Sequence, residues 1–131
     1  MSMRPETMAA GLRAAAARGA LRLPTSGTSM GGLIRTGDRV TLEPGPAPRW
    51  GEVWAFCTTD GMVAVHRCRG RRTGGWLFQG DRRSTPDPVV TPDRLVGRVV
   101  AVERDGVERR IGVGDRWGGA AVAAIVRMRH R

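Results

Sequence analysis

Lysine is absent from this sequence, and all 22 basic side chains are arginine. That excludes a lysine general base or a lysine Schiff base, since guanidinium stays protonated in proteins. Tyrosine is absent too, and the six aromatic residues are four Trp and two Phe. So few aromatics offer little of the stacking platform on which single-stranded nucleic acids are held. Two cysteines, Cys57 and Cys68, are too few for a disulfide framework. With His66 between them they read C-x8-H-x-C, which fits no ordinary zinc spacing. Reduced thiols in a cytoplasmic protein, with no metal and no cofactor, are the expectation. No apolar run approaches the roughly 18 residues that span a bilayer, and the longest, 118–126, ends at Arg127. No transmembrane segment is therefore expected, which leaves peripheral contact with a membrane or with a membrane-bound partner open.

What is present fits one domain of 131 residues, long enough to bury a core. Nineteen Gly and eight Pro imply many turns and favour short strands. The net charge of +10 draws acidic partners, but no nucleic-acid motif accompanies it, so no specific nucleic-acid partner is expected. Residues 5–20 carry a helical signal: Pro5 and Glu6 open an Ala-rich stretch with Met8, Leu12 and Ala16 at helical spacing, and Gly19 is the stop. Gly11 and Arg13 interrupt any signal-peptide core, so this stretch reads as part of the fold. Strands are predicted near 39–42, 53–57, 63–68, 75–79, 98–103 and 108–111, with Thr59-Asp60-Gly61 as a hairpin turn. The expected organisation is an N-terminal helix over 1–20, a β-rich core over 21–113, and a tail with a short packing helix over 114–131.

Three residue types in this chain point to chemistry. Ser29 lies in Thr25-Ser26-Gly27-Thr28-Ser29-Met30-Gly31-Gly32, where small neighbours allow close approach to a hydroxyl. A serine nucleophile needs a base within hydrogen-bond reach. His66, in Val63-Ala64-Val65-His66-Arg67-Cys68, is the one histidine outside the Arg-rich C-terminus. Asp81 and Asp87 are the carboxylates in nearby turns, where an Asp ordinarily bonds its own backbone. Gly27-Thr28-Ser29-Met30-Gly31 also matches the G-x-S-x-G elbow of α/β-hydrolases. That fold needs alternating strands and helices and the order Ser, Asp, His, neither of which this chain has.

The ordered motifs resemble the signal peptidase I family and its LexA-like relatives. Ser29-Met30 with Leu33-Ile34-Arg35-Thr36-Gly37-Asp38-Arg39-Val40 looks like the serine box. Gly51-Glu52-Val53-Trp54-Ala55-Phe56 with Val65-His66-Arg67 looks like the strand pair that carries the base. Phe78-Gln79-Gly80-Asp81 resembles the Gly-Asp box, and 89–100 resembles the closing strand. The similarity runs over about residues 24–103. Bacterial members and LexA-like proteins use a Ser–Lys dyad, whereas the archaeal and endoplasmic-reticulum type pairs Ser with His. With no lysine and with His66 in place, the chain is similar to the Ser–His type.

The resemblance implies a mainly β fold, a small coiled sheet with barrel-like closure. It also implies Ser29 as nucleophile, His66 as general base and Asp87 as the acidic third member, with Asp81 structural beneath them. The expected activity is that of a soluble serine endopeptidase removing a leader or presequence from a partner polypeptide. Histidine suits that role: its ordinary pKa near 6.5 leaves it largely neutral at pH 7, whereas lysine at about 10.4 must be depressed by roughly three units. Gly27 and Gly31-Gly32 depart from the family pattern, which has a hydroxyl at the first position and a bulkier residue and Pro after Ser-Met. Those departures motivate an alternative, a non-catalytic peptide-binding module of the same fold. The charge motivates a third, a basic LexA-like protein associated with nucleic acid, for which 20-odd leading residues leave no room for a helix-turn-helix.

Overall fold

The computed structural model describes residues 3–19, 21–111 and 126–128. Among the described residues one α-helix, α1 (Pro5–Ala17), is followed by eight antiparallel strands of one sheet, with a single 3-10 turn at Pro92–Arg94. They are β1 (Leu21–Pro24), β2 (Arg39–Glu43), β3 (Val53–Cys57), β4 (Val63–Arg72), β5 (Gly75–Gln79), β6 (Leu95–Arg104), β7 (Val107–Arg110) and β8 (Val126–Met128). Their order is β1-β2-β6-β3-β4-β5, with β7 also paired to β6 and β8 to β7.

The predicted mainly β class holds, but the sheet is not closed into a barrel. Among the described residues β1 and β5 end the strand path, because neither has a second partner. The predicted C-terminal helix over 114–131 is also corrected where the chain is described: Val126–Met128 is a strand paired with β7. The rest of that stretch lies outside the described residues. β1 joins the set as an element not predicted, since its Leu21-Arg22-Leu23-Pro24 alternation is only four residues long.

Strand β3 explains why two cores exist. All five of its residues are buried, and because side chains alternate across a strand, its two faces feed different cores. Val53, Ala55 and Cys57 join Val40, Leu42, Val96 and Val99 in one, covered by Ala9 of α1 and by Met30, Leu33 and Ile34 from the β1–β2 loop. Trp54 and Phe56 join Cys68, Trp76, Phe78 and Leu95 in the other. Both cysteines are free and buried, and burial pushes their thiols above the usual range, so neither is a ready nucleophile.

Two glycines shape the sheet, one by a close approach and one by its backbone conformation. The Val90 carbonyl oxygen lies 1.9 Å from where a Gly75 Cβ would stand, and Trp76 and Val90 exchange backbone hydrogen bonds of 2.9 and 3.0 Å. The chain leaving β5 is thereby laid back against it, a fact that matters for Asp87 below. Between β6 and β7, Asp105 (φ +53°) and Gly106 (φ +77°) make the two-residue left-handed turn that suits a tight hairpin.

Candidate active site

The serine loop, residues 25–38, is tied at its neck. The Thr25 N–H donates to the Asp38 carbonyl and the Gly37 N–H to the Thr25 carbonyl, both at 2.9 Å. Further up, the Gly27 N–H donates to Thr36 Oγ1 at 2.9 Å. Asp38 is the deeper anchor: Oδ2 accepts the Arg35 N–H at 2.8 Å, and Arg104 of β6 donates to both carboxylate oxygens at 2.9 and 2.7 Å. Burial raises the Asp38 pKa, but the Arg104 and Arg35 hydrogen bonds and charges outweigh it and hold the carboxyl below its usual value.

A carboxyl depressed on folding contributes stability above its unfolded pKa, near 4, and loses it as pH falls through the folded value. Asp38→Asn is therefore expected to cost about 1–3 kcal/mol at pH 7, less than the loss of a fully buried pair because Arg104 is a third exposed. The deficit shrinks below about pH 4, where the wild-type carboxyl is itself protonated. Urea unfolding of both proteins at pH 7 and pH 3 checks this.

With the loop anchored and Met30 buried beneath it, the neighbouring Ser29 is held half-buried at the surface of a cleft. His66 on β4 stands opposite Trp54 on β3, 6 % exposed, with its ring edge-on to Phe56 at 6.0 Å between centroids. Phe56 in turn stacks on Phe78 at 4.8 Å. The return from β5 delivers Asp87, whose N–H donates to the Phe78 carbonyl at 2.8 Å. The three predicted residues converge: Ser29 Oγ lies 2.9 Å from His66 Nε2, and His66 Nδ1 lies 2.6 Å from Asp87 Oδ2.

Asp81, the other candidate carboxylate, faces away from His66. Its two oxygens take a bidentate bond from Arg67, Nε to Oδ1 and Nη2 to Oδ2, each at 2.8 Å, while Arg67 Nη1 donates to the Gly51 carbonyl at 2.9 Å. Both side chains are almost wholly buried. Adjacent residues on β4 thus hold different carboxylates on opposite faces: His66 has Asp87, and Arg67 has Asp81.

Gly80 supports the serine in a way sequence reasoning missed. A Cβ there would stand 2.8 Å from the Ser29 carbonyl oxygen and 2.9 Å from Ser29 Cβ. The Arg82 N–H donates to that same carbonyl at 2.7 Å. The turn after β5 therefore presses on the back of the serine turn with no side chain between. Its signal in the sequence was the Gly80-Asp81 pair, but nothing there reveals which backbone lies against the glycine. Gly80→Ala is expected to displace Ser29; if Ser29 is the nucleophile proposed below, kcat/KM on a cleaved peptide falls by about 10²-fold, because small misplacements of a reacting atom are that costly. Its melting temperature and kcat/KM, measured together, separate displacement from unfolding.

The cleft over Ser29 and His66 has a volume of about 490 Å³ and is walled by Leu23, Met30, Ile34, Val63 and Val65 with the Pro24–Gly27 backbone. The Ser29 N–H has no hydrogen-bond acceptor among the described residues. Among the described residues no three of His, Cys, Asp and Glu converge as a metal-holding group, and no helix is long and apolar enough to cross a membrane. No protein-family model matches the sequence, and no curated protein is a match.

Proposed function

We propose that this chain is a serine endopeptidase of the signal peptidase type, with Ser29 as nucleophile, His66 as general base and Asp87 as its orienting acid. The observation that carries the reading is the continuous chain Ser29 Oγ–His66 Nε2–Asp87 Oδ2 on the wall of a peptide-sized cleft. A binding module needs no such chain, and each link is within hydrogen-bonding distance.

The geometry runs the reaction in two halves. Asp87 accepts the Nδ1–H, which leaves the Nε2 lone pair facing Ser29. Nε2 takes the hydroxyl proton as Oγ bonds the scissile carbonyl carbon, and the Ser29 N–H donates to the oxyanion. His66 then protonates the leaving amine, the C–N bond breaks, and an acyl-serine remains. Water then enters, gives a proton to Nε2 and bonds the acyl carbon; the C–Oγ bond breaks, His66 returns that proton to Ser29 Oγ, and the new carboxyl terminus is released. The substrate lies extended along the cleft, where backbone hydrogen bonds give affinity and side-chain pockets give choice. Small residues at the first and third positions before the cut are what the family likeness suggests, and a leader or presequence of a partner polypeptide is the substrate class.

The test is intact-mass analysis of a peptide library, including extended leaders with Ala-x-Ala sites, incubated with wild type, Ser29→Ala or His66→Ala. Cutting by wild type alone supports the reading. Equal cutting by Ser29→Ala removes Ser29 as nucleophile, and binding without cutting by any of the three favours the non-catalytic module.

A further inference from the structure

The cleft is charged at two places besides His66, Asp87 and Arg83, and they are not equivalent. Asp87 is committed to His66 Nδ1. Arg83 has no carboxylate partner among the described residues, and its side chain is exposed. Its backbone is nonetheless fixed: the N–H donates to the Gly80 carbonyl at 2.9 Å, and the carbonyl accepts from Gln79 Nε2 at 2.7 Å. Its Cγ lies 2.9 Å from the point where a Gly80 Cβ would stand, and Ser29 Cβ lies 2.9 Å from the same point. The missing side chain of Gly80 therefore brings the Arg83 stem against the nucleophile turn. The Arg83 side chain lines the same cleft as Ser29 and His66.

We infer that Arg83 is a specificity residue, and that the preferred substrate carries an acidic side chain within two residues of the bond cut at Ser29. The rest of the described cleft wall is apolar or neutral. A substrate carboxylate is thus the complement to the one uncommitted charge facing it, and Arg binds carboxylates in a planar, two-point fashion. A basic flanking residue meets like charge and is disfavoured. The inference rests on the peptidase reading for the meaning of the cut, though peptide binding tests it without turnover.

The experiment uses matched peptides in which each of the two positions on either side of a cleaved bond is Glu, Gln or Lys in turn. Turnover is read with wild type, and binding with Ser29→Ala. At one flanking position the Glu peptide is expected to exceed the Gln peptide roughly tenfold in kcat/KM and in affinity, the ratio falling with added salt. Arg83→Gln brings that ratio close to one, and Arg83→Glu reverses it in favour of Lys. Arg82→Gln, which removes the same charge one residue away from a side chain outside the cleft wall, keeps most of it. A ratio near one in wild type, or equal loss in both Gln variants, overturns the assignment. Neutral peptides cut by wild type but not by Ser29→Ala would then leave the peptidase reading standing alone. If no peptide is cut, a binding ratio that still depends on Arg83 keeps the subsite and removes the catalysis.

Discussion

Ser29→Ala is expected to lower kcat/KM on a cleaved peptide by about 10⁴–10⁶-fold, with peptide binding retained. The substitution deletes only the Oγ that faces Nε2, and the serine turn keeps its ties through Thr25, Thr36 and Asp38. His66→Ala is expected to fall into the same range, since an unassisted hydroxyl is a weak nucleophile at neutral pH. The double variant should be hardly worse than either single one, because residues acting as one unit lose their effect together. Additive losses would mean that serine and histidine act independently, and would overturn the coupling inferred from their 2.9 Å contact. Kinetics on one peptide, with thermal melting of all three variants, decides it.

How far the sequence predicts this arrangement differs from element to element. β3 and β5 have the predicted bounds, because each is a short apolar run closed by turn residues and buried on most of its length. β4 and β6 are longer than predicted, reaching Arg72 and starting at Leu95. Their extra residues are held by strand pairing, through Arg71↔Trp76 and Phe56↔Leu95, across register shifts that interrupt simple alternation. Barrel closure was an implication of the family likeness and had no signal of its own in the pattern of apolar residues.

For the site, residue types and chain order pointed to Ser29, His66 and two candidate carboxylates, Asp81 and Asp87, and the family likeness put Asp87 in the third place. Residue types and order alone were not enough to choose between Asp81 and Asp87. That choice is made by the return of the chain along β5, where Val90 lies on Gly75 and Asp87 bonds the Phe78 carbonyl. It is a tertiary fact, and no local spacing encodes it. The Arg67–Asp81 pair was equally hidden, since an Arg beside a strand histidine reads as one more solvated charge.

Those two aspartates lead to a prediction with opposite signatures. Asp81→Ala leaves the Arg67 guanidinium, 1 % exposed, without its bidentate partner in the interior. Removing one member of a buried ion pair costs about 3–5 kcal/mol, a large share of the roughly 5–15 kcal/mol that holds a domain together. Because Arg67 neighbours His66 and Asp81 neighbours Gly80, the loss spreads to both walls of the site, and activity falls with the folded fraction. Asp87→Asn, at a side chain 23 % exposed, is expected to change stability little and to lower kcat about 10⁴-fold, because an amide no longer holds the imidazole in the required tautomer. Chemical denaturation and kcat, measured for both variants at a temperature where each is folded, separate the roles. If Asp81→Ala stays as stable as wild type while losing its activity, the assignment of the two carboxylates is reversed.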